Sequence, residues 1–219
     1  MDSERILDFI RQYRSFEDKE LRELRDTAQG EGVPIIREDT EAFLLTVLAK
    51  AKPRRILELG TATGYSAILL AKAASRYYDP DGFVVIDTIE DWKPRVEAAG
   101  KNIKKSRLSD RINLIEGDAF TIMKDLKDPY DLIFIDAAKG QYPDYLNEAI
   151  RLSVEGSVII ADNIFQEGDL LESRYLVRRR DRTIHKRLRE FLDDITNDDR
   201  LITSLIPVGD GITFSVRIK

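Results

Sequence analysis

From residue 54 onward, short apolar runs alternate with segments of helical period, and this alternation most constrains the fold. The runs have the length and β-branched content of buried strands. Strands that are apolar on both faces and separated by helices form parallel sheets with helices on each side. The predicted strands are Arg55–Leu59, Phe83–Ile89, Ile112–Ile115, Leu132–Ile135 and Val158–Ala161, and the predicted helices span roughly 64–76, 94–106, 119–127 and 142–152.

Both ends of the chain depart from this alternation. Two apolar stretches, Leu201–Ile206 and Ile212–Ile218, flank the turn-rich sequence PVGDG and predict an antiparallel hairpin. Residues 1–51 have helical spacing. We therefore predict one domain over residues 1–219, in which a helical cap (1–51) precedes an α/β core (52–219) with a seven-stranded, mostly parallel sheet.

The composition narrows the chemistry. Cysteine is absent and His185 is the one histidine, which excludes thiolate catalysis and argues against a His-based metal site. A metal would be held by oxygen, which favours Mg²⁺ or a similar hard cation. The net charge of −5 argues against a surface coated with positive charge but allows a local basic patch. No apolar run reaches the roughly 20 residues that span a bilayer, so we expect a cytoplasmic protein without a membrane partner.

A glycine turn, ELGTATGYS (residues 58–66), connects the first predicted strand to a helix. Glycine at Gly60 and Gly64 allows positive φ angles and a close approach of the backbone to a ligand. The spacing is neither a dinucleotide fingerprint nor a P-loop, so a plain tight turn is the alternative. Glu90, at the end of the next strand, can accept hydrogen bonds from both hydroxyls of a ribose, and Asp87 competes for that role.

The segment EGDAF (residues 116–120) places Asp118 at the end of the third predicted strand. An aspartate before a helix is a preferred N-cap. Helix capping and adenine recognition both remain open for this residue.

Two acidic strand ends follow, in FIDAAKG and ADNIF. Asp136, Asp162 and Asn163 supply three oxygen donors from neighbouring strand ends, which suits Mg²⁺ with water and substrate in its other positions. Lys139, three residues after Asp136, could act as a base because a nearby dication lowers the pKa of an ammonium group. The alternatives are an ordinary Asp-Asn turn and a surface lysine.

Arginine is concentrated in RYLVRRRDRTIHKRLREF, residues 174–191. Ile184, Leu188 and Phe191 give this stretch an apolar face, so a solvated helix face is one interpretation. The triplet Arg178, Arg179 and Arg180 precedes the helix and follows the proposed metal loop, where it could bind the phosphates of a substrate. We expect His185 to belong to the exposed surface of this helix.

In order and spacing, the motifs ILELGTATGYSA, TIE, EGDA, YDLIFIDAAKGQY and ADNIF resemble those of the cation-dependent class I O-methyltransferases that use S-adenosylmethionine (SAM). This family includes catechol and caffeoyl-CoA O-methyltransferases and has a Rossmann-like fold. Within it, FIDAAKGQY, the arginine-rich stretch and IPVGDGITFS are most similar to bacterial tRNA 5-hydroxyuridine methyltransferases. A homodimer is also implied.

The resemblance assigns roles by position. The methionine part of SAM would contact Glu58, Gly60, Tyr65 and Ser66, the ribose would contact Glu90, and the adenine would contact Asp118 and Ala119. Asp136 would lie beside the cofactor and bind the metal with Asp162 and Asn163, and Lys139 would be the catalytic base.

We expect Mg²⁺-dependent methylation of the 5-hydroxyl of 5-hydroxyuridine in tRNA. The first alternative is methylation of a catechol-like phenol, whose adjacent oxygens can chelate a metal in the same way. The second alternative is a cofactor-binding or RNA-binding module without catalysis.

Overall fold

The computed structural model describes Arg5, Phe9, Gln12 and Tyr13 and the continuous stretch 16–219, so most of the beginning of the predicted cap lies outside the described residues. Helices and strands then follow in the predicted order. The helices are α1 (Lys19–Gly30), α2 (Glu38–Ala51), α3 (Tyr65–Tyr77), α4 (Lys93–Lys105), α5 (Ala119–Asp125), α6 (Tyr142–Arg151) and α7 (Arg182–Asn197), with short 3-10 turns at Lys139–Gln141 and Asp169–Leu171. The strands are β1 (Arg55–Leu59), β2 (Val85–Glu90), β3 (Ile112–Glu116), β4 (Tyr130–Ile135), β5 (Ser153–Ala161), β6 (Leu201–Ile206) and β7 (Ile212–Arg217).

The seven strands form one sheet in the order β3-β2-β1-β4-β5-β7-β6. The first five strands in that order are parallel, and β7 is antiparallel to both β5 and β6. The predicted mostly parallel sheet with a C-terminal hairpin is therefore confirmed. The strand order reverses between β1 and β4, which is where open α/β sheets bind ligands beyond their carboxyl ends.

Alternate residues of the central strands enter two separate apolar layers. In β4, Leu132 and Phe134 pack with helices α2, α3 and α4, whereas Ile133 and Ile135 pack with α5, α6 and α7. Residues 132–135 of β4 are apolar at every position because both faces of the strand are covered. This rigid centre holds the ends of β1, β2, β4 and β5 in fixed register.

Several boundaries differ from the prediction. β2 begins at Val85 because Phe83 lies in the preceding turn and is exposed. β5 begins at Ser153, earlier than predicted, because the strand continues through an irregularity at Gly156, whose φ is +89°. There the hydroxyl of Ser157 donates to the carbonyl of Tyr130 at 2.8 Å and maintains the link to β4.

The N-terminal helices are tied to α3 by buried charge. Arg25 in α1 pairs with Glu41 in α2 at 2.5 Å, and the Tyr65 hydroxyl at the start of α3 donates to the same carboxylate at 2.6 Å. Lys72 in α3 contacts Asp18 and Glu20 at the start of α1. Within the described part of the chain, no helix is both long and apolar enough to cross a membrane.

Candidate active site

A cavity of about 620 Å³ opens at the carboxyl ends of the parallel strands, where the strand order reverses. Its wall combines several carboxylates with a few cations. The acidic residues are Glu90, Asp91, Asp118, Asp136 and Asp162, and the basic residues are Arg37, Arg95 and Lys139. Most of the predicted site residues therefore meet in one place.

Gly60 begins the turn between β1 and α3 and lies against β4. Its φ is +97°, and a Cβ atom added there would lie 2.0 Å from the backbone oxygen of Asp136. The N–H groups of Gly60 and Thr61 both donate to the carbonyl of Ile89. Glycine is required here because the turn must pass close to β4 while it forms the cavity wall.

Glu90 holds the glycine turn and the start of α4 together. Its Oε2 accepts from the N–H of Ala62 at 2.9 Å, and its Oε1 accepts from the N–H of Trp92 at 3.1 Å. The carboxylate lines the cavity. Asp87 instead accepts from Tyr130 and Asn113 away from the cavity wall, so Glu90 is the better placed of the two for a ribose.

Asp118 caps α5, as one of its two sequence interpretations predicts. Its Oδ1 accepts from the N–H of Thr121 at 2.8 Å and from the hydroxyl of Thr121 at 2.7 Å. These hydrogen bonds from Thr121 hold the pKa of Asp118 below its usual value. Asp118 and Ala119 both line the cavity, so capping leaves adenine recognition possible.

Glu58 lies behind the cavity wall and is fully buried. Its Oε2 accepts from the Thr88 hydroxyl at 2.5 Å, while its Oε1 has no partner among the described residues. Burial raises the pKa of Glu58 to about 7, against the lowering effect of the nearby hydroxyls of Ser66 and Thr88. Glu58 and Ser66 therefore support the glycine turn from behind in this arrangement.

Tyr65 does not lie where the resemblance places it. Its hydroxyl points to Arg25 and Glu41, and the residue is absent from the cavity wall. The N-terminal helices draw the ring away because their buried ion pair needs a further polar partner. The hydroxyl of Tyr65 is therefore directed away from the cavity, and the expected contact with the methionine part of a cofactor stays a prediction.

Asp136, Asp162 and Asn163 converge where β4 and β5 end. The Nδ2 of Asn163 donates to Asp136 Oδ1 at 3.0 Å, and the N–H of Asn163 donates to Asp162 Oδ1 at 2.7 Å. Asn163 has a φ of +57°, a left-handed conformation that asparagine tolerates. Tyr142, buried in α6, fixes this corner by donating to the carbonyl of Asp162 at 2.9 Å.

Asp162 is buried, whereas Asp136 is half-buried where it lines the cavity. Burial raises the pKa of Asp136, with opposing effects from Lys139 and Asn163. Burial, followed by the charge of Asp136, raises the pKa of Asp162 to about 7. In the residues that the structure describes, no three His, Cys, Asp or Glu side chains form a metal-binding cluster. The donor set is two carboxylates and one amide oxygen, a combination that suits Mg²⁺ with water or substrate in the remaining positions.

Lys139 opens the 3-10 turn after β4 and lines the cavity beside Asp136. Arg187 of α7 supports this turn because its Nε donates to the carbonyl of Gly140 at 2.9 Å and its guanidinium pairs with Asp144. The turn therefore holds the lysine on the side of the cavity that carries the acidic corner.

The arginine triplet lies outside the cavity wall. Arg178, Arg179 and Arg180 are exposed, and Arg180 has only a 3.5 Å contact with the adjacent Asp181. His185, expected on the surface, is buried. Its Nε2 donates to the carbonyl of Glu172 at 3.1 Å, and this hydrogen bond holds the preceding loop against α7.

Sequence reasoning missed two cavity cations, Arg37 and Arg95. Arg37 lies at the start of α2 and donates to the carbonyl of Gly209 in the β6–β7 turn at 3.5 Å. Arg95 lies over the ring of Trp92 at 5.2 Å, and its buried Nε has no partner in the described part of the chain. The first turn of α4 carries no acidic residue, and an arginine so close to a helix N-terminus is a signal that could have identified Arg95.

Comparison with known proteins agrees with this architecture. Residues 11–218 match the family model described as O-methyltransferase. A catechol O-methyltransferase from Niastella koreensis is 32% identical over 170 residues, covering 75% of this chain and 74% of that protein. A catechol O-methyltransferase from Mycobacterium tuberculosis is 37% identical over 130 residues, covering 59% of this chain and 56% of that protein.

A solved structure of an O-methyltransferase has a similar fold. The O-methyltransferase from Bacillus cereus in complex with SAH has a TM-score of 0.83 and 25% identity, covering 97% of this chain and 96% of that chain. The predicted Rossmann-like methyltransferase fold is confirmed by this likeness. The family model spans nearly the whole sequence, and the chain belongs to the O-methyltransferase family.

Proposed function

We propose that the protein uses SAM and a divalent cation, Mg²⁺ or a similar ion, to methylate a hydroxyl group that lies beside a second oxygen atom. The observation that carries this proposal is the meeting of Asp136, Asp162 and Asn163 with Lys139 in the cavity whose other side is formed by Gly60 and Glu90. When bound, SAM supplies an electrophilic methyl group, and the cation supplies a Lewis acid that lowers the pKa of an acceptor hydroxyl.

The residues of the chain have separate tasks in this proposal. Asp136, Asp162 and Asn163 hold the cation, and Lys139 accepts the proton of the acceptor hydroxyl at its Nζ atom. Glu90 binds the ribose of SAM, and Asp118 and Ala119 lie at its adenine. The rigid strand ends contribute by fixing donor and acceptor at a reactive distance. The SAH complex of the Bacillus cereus protein supports a cofactor of this kind.

For the acceptor we propose 5-hydroxyuridine in tRNA. Its 5-hydroxyl and 4-carbonyl are adjacent, so the pair can chelate a metal. Arg178 and Arg179 support this choice because they are exposed and have no acidic partner within 4 Å among the described residues. Exposed arginines of this kind bind the phosphates of nucleic acids.

A second candidate acceptor is a small catechol. The curated relatives from Niastella koreensis and Mycobacterium tuberculosis, both catechol O-methyltransferases, favour it. A catechol offers the same pair of adjacent oxygens and needs no phosphate contacts, so under this alternative the arginine triplet is dispensable. A homodimer, which the family resemblance implies, remains a proposal alongside either acceptor.

One experiment separates the candidates and tests the enzyme. The protein is incubated with methyl-labelled SAM and Mg²⁺, with tRNA that lacks its wobble methyl groups, with 5-hydroxyuridine nucleoside, or with a catechol panel. Label in the tRNA supports the first acceptor, and efficient labelling of catechols alone supports the second. Full activity in the presence of a chelator would contradict the proposed cation.

A further inference from the structure

Side chains of α7 hold the loop between β5 and α7 in one conformation. We name residues 170–181 the arginine loop. Arg182 donates to the carbonyls of Tyr175 (3.0 Å) and Val177 (3.2 Å), His185 donates to that of Glu172 (3.1 Å), and Arg189 donates to that of Leu170 (2.5 Å). Leu170 and Val177 are buried. Side chains of one helix therefore fix the loop backbone along most of its length.

The outer face of the arginine loop exposes large apolar side chains. Leu171 is 71% exposed, Tyr175 is 83% exposed and Leu176 is 75% exposed. Single exposed apolar residues are common, but several on one fixed loop indicate an interaction surface. Since hydrogen bonds from α7 already hold the backbone, these side chains are not exposed through local disorder of a free loop.

The charge of the loop selects the partner. Along the sequence the exposed tyrosine is flanked by Arg174, Arg178, Arg179 and Arg180, and the acidic residues of the loop are Glu172 and Asp181, in a chain whose net charge is −5. Arg174, Arg178 and Arg179 have no acidic partner within 4 Å in the described residues. A second copy of the chain would present the same positive loop in a two-fold contact, and like charges would repel. A polyanion complements the loop.

We infer that the arginine loop is a docking surface for single-stranded RNA, in which Tyr175 stacks on an unpaired base while Arg174, Arg178 and Arg179 contact the flanking phosphates. Aromatic stacking with basic contacts along the backbone is how proteins hold unpaired nucleotides. The ring of Tyr175 is exposed on the surface and does not line a pocket that could enclose a small phenol. A large partner such as RNA could cover it. The inference rests on the proposed tRNA acceptor and adds a binding residue outside the cavity.

The test measures RNA binding apart from methylation. A fluorescent RNA hairpin with an unpaired, uridine-containing loop is titrated with the full-length protein, and anisotropy is followed over a range of salt concentrations. Tyr175→Ala should weaken binding by about 5- to 150-fold, since one stacked base contributes roughly 1–3 kcal/mol. Tyr175→Phe should bind as the wild type does because the ring is kept. Phe83→Ala, which removes another exposed aromatic ring elsewhere on the surface, should have no effect.

Substitution of the arginines tests the proposed phosphate contacts independently. The double variant with Arg178→Ala and Arg179→Ala should have a shallower slope of log affinity against log salt concentration. The slope should change by about 0.7 for each phosphate that the protein no longer neutralises. Methylation of 5-hydroxyuridine nucleoside or a catechol should be unchanged in all of these variants. If the wild-type protein methylates neither tRNA nor a small acceptor, the proposed function fails, whatever the RNA affinities.

Three results would overturn the docking surface alone. The first is wild-type RNA affinity in Tyr175→Ala. The second is a loss in Tyr175→Phe equal to that in Tyr175→Ala, which would exclude stacking. The third is a lower mass of Tyr175→Ala in sedimentation equilibrium, which would make this face a contact between copies of the chain.

Discussion

The side chain of Asn163 donates a hydrogen bond from Nδ2 to Asp136 Oδ1 at 3.0 Å, and this contact joins the ends of β4 and β5. It leaves the amide oxygen of Asn163 available to a ligand. The neighbouring Asp162 lies on the same corner, with its backbone held by Ile135 and Tyr142. These hydrogen bonds hold the corner in a fixed geometry, as the proposed metal site requires.

The first prediction concerns Asp162. Asp162→Ala should lower methylation by about 100-fold or more, because the Lewis-acid contribution of a bound cation amounts to several kcal/mol. SAH affinity, measured by calorimetry, should stay close to that of the wild type. Asp128→Asn, which changes an exposed carboxylate far from the cavity wall, is the control and should retain activity. Equal loss of SAH binding and of activity would assign Asp162 to the cofactor instead.

The second prediction concerns Gly60. Gly60→Ala should destabilise the protein by about 3 kcal/mol or more, because a side chain at this positive φ is strained and meets the backbone of β4. SAH affinity should fall as well, since the turn forms the cavity wall. Gly30→Ala is a matched control because its added methyl meets no atom within 4 Å. Urea unfolding gives the difference, and equal stability of the two variants would contradict it.

The third prediction concerns pH and Glu58. Its pKa is raised from 4.5 to about 7 in the folded protein, so the folded state binds a proton that the unfolded state has released. Stability should therefore fall as pH rises from about 4.5 to about 7, by on the order of 3 kcal/mol from this group. In Glu58→Gln this contribution disappears. Urea unfolding of both proteins at several pH values measures it, and parallel curves would show that Glu58 titrates normally.

The fourth prediction separates Tyr65 from the cofactor. Tyr65→Phe should lower stability by about 1–2 kcal/mol, because a buried hydrogen bond to Glu41 is removed, and should leave SAH affinity unchanged. Arg25→Met should cost more, about 3–5 kcal/mol, since it removes one partner of a buried ion pair. Thermal unfolding measures the change in stability, and calorimetry measures the affinity for SAH. A large loss of SAH affinity in Tyr65→Phe with unchanged stability would restore the role expected from the sequence.

Much of the fold could be predicted because its signals are local. β1 begins and ends at the predicted residues, and the turn PVGDG separates β6 from β7 as expected. The start of β5 could not be predicted, since Gly156 marks a turn in sequence while Ser157 keeps the strand paired with β4. That hydrogen bond joins residues 27 positions apart and leaves no local pattern.

The candidate site divides in the same way. Gly60, Asp136 and Asp162 follow strands directly and Glu90 ends one, so the topology of a parallel sheet brings them to one edge. The direction in which each side chain points could not be predicted from the sequence. Tyr65 and His185 turned inward, because buried charges and carbonyls from distant segments supplied partners that their own neighbours lacked.

The sequence by itself determined the order of strands and helices, the glycine turn and the oxygen-only donors, because each depends on residue type and short-range spacing. Only the tertiary structure decided which of those residues face the cavity. It placed Arg37 and Arg95 in the wall, moved Glu58 and Tyr65 behind it, and fixed the arginine loop on α7 with Tyr175 exposed. Burial and pairing between distant segments control these outcomes, and neither quantity exists until the chain has folded.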